Sequence, residues 1–327
     1  MTPYYHLSFQ PNEAPVLQSF YQTLLQSGVD DLETNYFSQF GRTTKWACYS
    51  DYQLEGKKPN SVITFSFFPS GMDHMQLGGL ITALAPSEIK KAKTIRPEFV
   101  SFLKASPILT FSVVLENYRF LDRSTLEELR MSLVHTLDKL ADEELQWTSQ
   151  NPHMAEENKT FARKVRRLIR EVQENRKLVQ LKNLFLVTSI GSMLATLVCN
   201  RTQAKLFGWF SDRDAIHDVE DRFAIELFNV LFIQKLHHFP HCLFVAAPAS
   251  SRDEEFYQDL VKVPDFITGA IADYDRKTNQ ISHSKFSGLL RDFMADNRRN
   301  FFLYRIDFAN GKQATSSRLF LKRTGDT

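Results

Sequence analysis

Three aspartates stand at the edges of apolar runs: Asp51 in KWACYSDYQL, Asp212 in AKLFGWFSDRDAI and Asp265 in VKVPDFITGAIADY. A carboxylate in such a place is rarely kept unless it is paired or bound to a metal. Oxygen donors of this kind suit Mg²⁺ or Mn²⁺. Two such ions about 4 Å apart would activate a water and stabilise the leaving oxygen of a phosphodiester. In that reading Asp51 is the bridging ligand and Asp212 and Asp265 are the outer ones. Glu116, closing ILTFSVVLE, is a candidate fourth ligand, and Asp214 competes with Asp212. Each acid also has an ordinary alternative. Asp51 can be a strand-end acid, Asp212 a turn or cap residue, and Asp265 a first-turn acid favoured by the helix dipole.

The elements that would position these residues follow from pattern. Residues 1–44 read as an N-terminal arm or cap with a helix near 14–26. Lys45 to Leu54 and Ser61 to Phe68 read as a hairpin, the second run being β-branched and aromatic. Residues 75–84 read as a short strand, Pro86 and Pro97 as helix starts, and Ile108 to Glu116 as a strand. Ser124 with Glu127 fits a capping box for a helix over 124–148, with Leu126, Leu129, Leu133, Leu137 and Leu140 at helical spacing. A second helical stretch runs from about Ala155 to Val198. Lys205 to Phe210 and Cys242 to Ala247 read as strands around a helix over 219–236. Pro264 opens a helix, and the last segment, 276–327, reads as a helix and a hairpin turning at Asn310-Gly311. Antiparallel strands first and βα units afterwards make a mixed-sheet α/β pattern.

Charge is distributed unevenly. Residues 120–157 carry nine acids against three bases, and residues 159–182 carry nine bases against two acids. At helical spacing Arg163, Arg166, Arg167, Arg170 and Lys177 share much of one face, which suits a phosphate backbone. The alternative is that the acidic and basic helices pair with each other, or that helices 124–198 receive a protein partner.

Cys48, Cys199 and Cys242 form no CxxC pair, so buried free thiols in a reducing compartment are expected. No basic and apolar leader is evident at the start of the sequence. The apolar run Leu184 to Val198 is interrupted by Thr188, Ser189, Gly191, Ser192 and Thr196, which favours a core helix over a membrane span. A cytoplasmic protein without membrane contact is expected. In LHHFPH, Pro240 breaks the helical geometry that His237, His238 and His241 would need for zinc. His217 can be a structural histidine or a neighbour of the acids. No GxGxxG, Walker, GxSxG or HExxH motif is present.

The run VKVPDFITGAIADY resembles the L-A-D-(L/F)-I-A-G-A-I helix of a widespread bacterial family of ribonuclease H-like proteins. AKLFGWFSDRDAI is similar to that family's strand ending in D-R, and CLFVAA followed by Ser250-Ser251 fits its flanks. The resemblance spans roughly residues 45–275. It implies a ribonuclease H-like mixed sheet, with a long helical insertion at about 120–200 and an N-terminal arm. It also implies a metal-dependent nuclease for DNA or RNA, or an inactive relative that binds nucleic acid or a partner protein. Such relatives are associated with mobile elements or phage defence. The family's first strand ends in D-E-S-G. Aligned on Ser70-Gly71, this chain has Phe68 and Pro69 where the acids stand; aligned on the preceding strand, it offers Asp51. The first alignment removes a metal ligand and the second keeps it.

Overall fold

A computed structural model describes residues 15–71, 73–118, 123–150, 152–174, 176–211, 216–220, 222–236, 242–248, 257–308 and 314–323. The described residues open with α1 (Pro15–Ser27), α2 (Val29–Asp31), a wider-wound turn over Leu32–Phe37 and α3 (Ser38–Phe40). Then come β1 (Lys45–Gln53), β2 (Ser61–Pro69), α4 (His74–Leu84), α5 (Pro97–Ala105) and β3 (Leu109–Glu116). The helices α6 (Arg123–Gln150), α7 (Ala155–Gln173) and α8 (Leu178–Thr202) precede β4 (Leu206–Ser211), α9 (Phe223–Lys235), β5 (Leu243–Pro248) and α10 (Gln258–Asp273). The small ribbon β6 (Tyr274–Asp275) and β7 (Gln280–Ile281) follows, and β8 (Phe301–Asp307) and β9 (Thr315–Leu319) close the chain.

Seven strands form one mixed sheet in the order β5-β4-β1-β2-β3-β8-β9. The β1–β2 and β2–β3 pairs are antiparallel, whereas β4 runs parallel to β1 and β5 parallel to β4. The α/β reading and the early hairpin therefore hold. The terminal strands extend this sheet, with β8 parallel to β3 and β9 antiparallel to β8.

The chain divides into two compact units. The first comprises residues 1–119, 193–212 and 235–327, and the second residues 120–192 and 213–234. In the first, α10 lies over β1 and β2 and buries Leu260, Val263, Phe266, Ile267 and Ile271 in a core shared with Ala47, Tyr49, Val62 and Val114. In the second, α6 and α7 lie side by side. Leu133, Leu137, Leu140 and Ala141 of α6 are buried, as are Phe161, Val165, Leu168, Ile169 and Val172 of α7. These positions recur every three to four residues, so one stripe of each helix is removed from water.

Four local expectations change. Residues 75–84 form a helix because Asp73 caps it, accepting from the Met75 amide at 2.8 Å. Leu77 and Ile81, four residues apart, are its buried positions. Pro86 opens no helix; the chain turns there. The stretch from Ala155 to Val198 breaks between α7 and α8, where Lys177 adopts a left-handed φ of 55°. Neither Pro nor Gly marks that break in the sequence. Finally, α10 begins at Gln258, so Pro264 lies inside the helix and Asp265 is not in its first turn. A proline interior to a helix removes one backbone hydrogen bond, which the packed face of α10 tolerates.

Among the described residues α8 is the one helix long and apolar enough to cross a membrane, and 78% of its most apolar stretch is buried. It is a core helix, as its interrupting polar residues suggest. Cys48, Cys199 and Cys242 are buried free thiols. The dipeptide Asn310-Gly311 lies outside the described residues.

Candidate metal and nucleic-acid sites

The side chains of β1 alternate between two faces. Ala47 and Tyr49 join the core beneath α10. The intervening residues face the other way. The Trp46 indole N–H donates to Thr202 Oγ1 at 3.0 Å, and the Trp209 indole N–H donates to Ser50 Oγ at 2.9 Å. A period of two therefore gives Asp51 to the α10 face. The helix meets it there, because the Thr268 hydroxyl donates to the Asp51 carbonyl oxygen at 3.4 Å. Asp265 is three residues before Thr268 on the same helix face. Both Asp51 and Asp265 are half-buried. Two of the three aspartates thus come from facing elements, across one helical turn.

A polar row continues from Asp51 along this face of the sheet. Asp51 is registered with Thr64 of β2, and Thr64 with Ser112 of β3. Thr64 Oγ1 and Ser112 Oγ share a hydrogen bond of 3.0 Å, and Ser66 Oγ and Thr110 Oγ1 one of 3.1 Å; all four residues are buried. Buried hydroxyls pair in this way to avoid an unsatisfied donor.

Asp212 lies outside the described residues, as do Asp214, His237, His238 and His241. The described part of β4 ends at Ser211, registered with Ser50. Glu116 is committed elsewhere. Its carboxylate pairs with Arg276 and, at 3.3 Å, with Arg305. It also stands two strands from β1, roughly 10 Å across the sheet. Among the described residues no three of His, Cys, Asp and Glu converge as a metal site. Phe68 is buried against Tyr49 with ring centres 4.8 Å apart. Phe68 and Pro69 pair with Ala47 and Trp46, at the opposite end of β1 from Asp51. His217 belongs to the second unit.

A Cβ at Gly269, four residues after Asp265, would meet Ile89 Cδ1 at 2.2 Å. The close neighbour is a loop side chain.

On α7, Arg163, Arg166, Arg167 and Arg170 are exposed. Arg167 pairs with Glu220 at 2.7 Å, and the Arg163 side chain donates to the Lys159 carbonyl and Thr160 Oγ1. Lys177 falls beyond the end of α7 and pairs with Glu171 at 3.1 Å, while donating to the Val219 carbonyl at 2.8 Å. Arg166 and Arg170 carry no ion pair among the described residues. Ion pairs of α7 to other segments include Arg167 to Glu220 and Lys164 to Glu226, both at 2.7 Å. Lys159, Arg163 and Arg166 line a shallow groove of about 370 Å³ with Leu145, Glu156 and Ala162.

Glu144 falls on the apolar stripe of α6, four residues after Leu140, and is buried. Burial, with neighbouring Glu143 adding repulsion, pushes its carboxyl up to about 7. The native state then binds a proton more tightly than the unfolded chain, whose carboxyl titrates near 4.3. Its stabilising contribution is full below that value and is lost as pH rises through about 7. Glu144→Gln is therefore expected to flatten the fall in melting temperature between pH 5 and pH 8, as read by circular dichroism. An unchanged slope would contradict this.

Sequence pattern alone did not single out Glu144 or Asp273. The first was one acid in an acidic segment, and the second sat unweighted at the end of the VKVPDFITGAIADY run. The periodicity of α6 carries the only signal for Glu144, since position 144 continues the spacing 133, 137, 140.

No family model matches the chain, and searches of curated proteins and of solved structures find no match.

Proposed function

We propose that the chain is a metal-dependent nuclease of ribonuclease H-like fold, with Asp51 and Asp265 contributing to the ion site. The observation that carries this reading is the contact of Thr268 with the backbone of Asp51, one helical turn from Asp265 on the shared face. The sheet supports it as well, because an antiparallel β1-β2-β3 meander is joined by β4 and β5 parallel to β1. The strand bearing Asp51 is the one that pairs with β4, which favours Asp51 over the Phe68 position. Carboxylate oxygens fit a Mg²⁺ or Mn²⁺ ion. Asp51 and Asp265 would hold it, Asp212 is the third acid the resemblance implies, and Glu116 is left out because its two arginines occupy it. When bound, such an ion supplies an activated water and charge neutralisation at a phosphodiester. The half-buried setting of the two acids limits competing water. A role in phage defence or mobile-element function rests on the resemblance. The test is Mn²⁺-dependent cleavage of single- and double-stranded DNA and RNA by the wild type and the aspartate variants.

A second reading has its own observation. Arg166 and Arg170, exposed and without an ion pair among the described residues, support nucleic-acid binding by α7, whether or not the chain is catalytic. A double Arg166→Ala, Arg170→Ala variant is expected to bind duplex DNA more weakly. Its dependence of log affinity on log salt should be shallower by about 2, since each neutralised phosphate contributes about 0.9. Both residues are exposed, so stability should change by less than about 0.5 kcal/mol. An unchanged salt slope would remove this helix from the interface.

A further inference from the structure

Asp273 is the last residue of α10, and its side chain is 0% exposed. This is a poor place for a carboxylate on two counts. The C-terminal end of a helix carries partial negative charge, and an unpaired buried charge is strongly disfavoured. Three donors from two other segments offset this. Lys58, in the loop between β1 and β2, forms an ion pair with Oδ1. The His283 backbone N–H donates to Oδ2 at 2.8 Å, and His283 Nδ1 meets Oδ1 at 2.8 Å. Burial alone would raise the Asp273 carboxyl, but the hydrogen bonds from Lys58 and His283 outweigh it and hold the group below its usual range.

An ionised carboxylate only accepts, so Nδ1 of His283 must carry the proton. In the neutral ring the lone pair then sits on Nε2. The side chain is 55% exposed, and Nε2 has no hydrogen-bond partner among the described residues. The Lys58 ammonium stands 3.5 Å from Nδ1, with its side chain 36% exposed. Asp273 has both oxygens engaged, so this cluster keeps no free carboxylate for a cation. A base of fixed tautomer beside an ammonium suits a phosphodiester whose own neighbouring hydroxyl can attack, which is RNA.

We propose that His283 and Lys58 form a proton-transfer site that cleaves RNA without a metal, with Asp273 as the positioning residue. His283 Nε2 takes the proton of a 2′-hydroxyl. The 2′-oxygen–phosphorus bond forms and the phosphorus–5′-oxygen bond breaks. The imidazolium returns the proton to the 5′-oxygen, leaving a 2′,3′-cyclic phosphate and a 5′-hydroxyl end. Lys58 neutralises charge on the non-bridging oxygens. This site is separate from Asp51 and Asp265 and does not rest on the metal reading.

The experiment incubates the full chain with a fluorescent RNA oligonucleotide in EDTA. A 2′-O-methyl copy and a DNA copy with Mn²⁺ are run in parallel. Cyclic-phosphate ends are expected from RNA alone in EDTA, with a loss of about 100-fold or more in His283→Gln. Nitrogen-detected resonance spectra of the His283 ring should show the Nδ1–H tautomer in the wild type. Folded Asp273→Asn should show a mixed tautomer together with slower RNA cleavage and an altered pH profile, whereas a purely structural Asp273 would leave rate and pH profile unchanged. The proposal is overturned by no RNA cleavage in EDTA, by equal cleavage of the 2′-O-methyl strand, or by an unaltered rate in His283→Gln. Failure of the DNA arm alone counts against the metal reading only.

Discussion

Asp51→Ala and Asp265→Ala are each expected to lower Mn²⁺-dependent phosphodiester cleavage by roughly a thousandfold. A bound ion contributes several kcal/mol to stabilising charge in the transition state, and each 1.36 kcal/mol is a factor of ten in rate. On the proposed reading, losing one of the ion's carboxylate ligands forfeits most of that term. In that reading Asp51 of β1 and Asp265 of α10 hold one ion, because Thr268, one turn from Asp265, touches the Asp51 backbone, so either change should act on that site. The double variant should be little worse than either single one, because residues that act as a unit are not additive. Glu116→Gln is the contrasting control. Its partners are Arg276 and Arg305, so cleavage should stay within tenfold of wild type while stability falls. Equal rates for the wild type and both aspartate variants would sink the nuclease reading, and the α7 binding measurement would then stand alone.

Trp46→Ala is expected to remove roughly 3–5 kcal/mol of stability, the usual range for truncating a buried aromatic side chain to alanine. Trp46 is 1% exposed, and its indole N–H is shared between Thr202 Oγ1 at 3.0 Å and the Thr43 carbonyl at 3.1 Å. It anchors β1 on the face opposite α10, beside the Tyr36 ring. Against a total stability of about 5–15 kcal/mol, that loss would leave a chain that unfolds at modest urea. Trp46→Phe keeps most of the apolar area and loses only the donor, so about 1–2 kcal/mol is expected. Urea unfolding followed by fluorescence and circular dichroism separates the two. A Trp46→Ala variant as stable as Trp46→Phe would mean that packing at this position contributes little.

Much of the first unit could be read locally. SVITFSFF announces a strand by its β-branched and aromatic residues, and β2 occupies it. Pro97 opens α5, as a helix-compatible first residue should. Where a local signal was ambiguous, packing decided. Residues 75–84 contain enough apolar residues for a strand, yet the Asp73 cap and the four-residue spacing of Leu77 and Ile81 settle on a helix. Pro264 suggested a helix start, but the buried face that begins at Leu260 carries α10 upstream through it. At the acids the limit is of a different kind. Asp51, Glu116 and Asp265 are equally conspicuous as isolated acids at element edges. Only the pairing of strands puts Asp51 beneath α10, and only Arg276 and Arg305 take Glu116 away.

The sequence by itself determined that this chain has an antiparallel start, βα units after it, a strongly basic α7 and scattered acids suited to oxygen chemistry. These are properties of spacing and residue type, which act within a few residues. Tertiary structure alone decided that Asp265 lies one turn from the residue touching Asp51, that Arg166 and Arg170 stay unpaired among the described residues while Arg167 and Lys177 do not, and that Asp273 is buried between Lys58 and His283. His283–Asp273 and Lys177–Glu171 lie within ten positions of each other, but the Thr268–Asp51, Arg167–Glu220 and Lys58–Asp273 contacts join residues more than fifty, and in two cases more than two hundred, positions apart. No local pattern encodes such contacts, because they follow from which apolar faces bury one another.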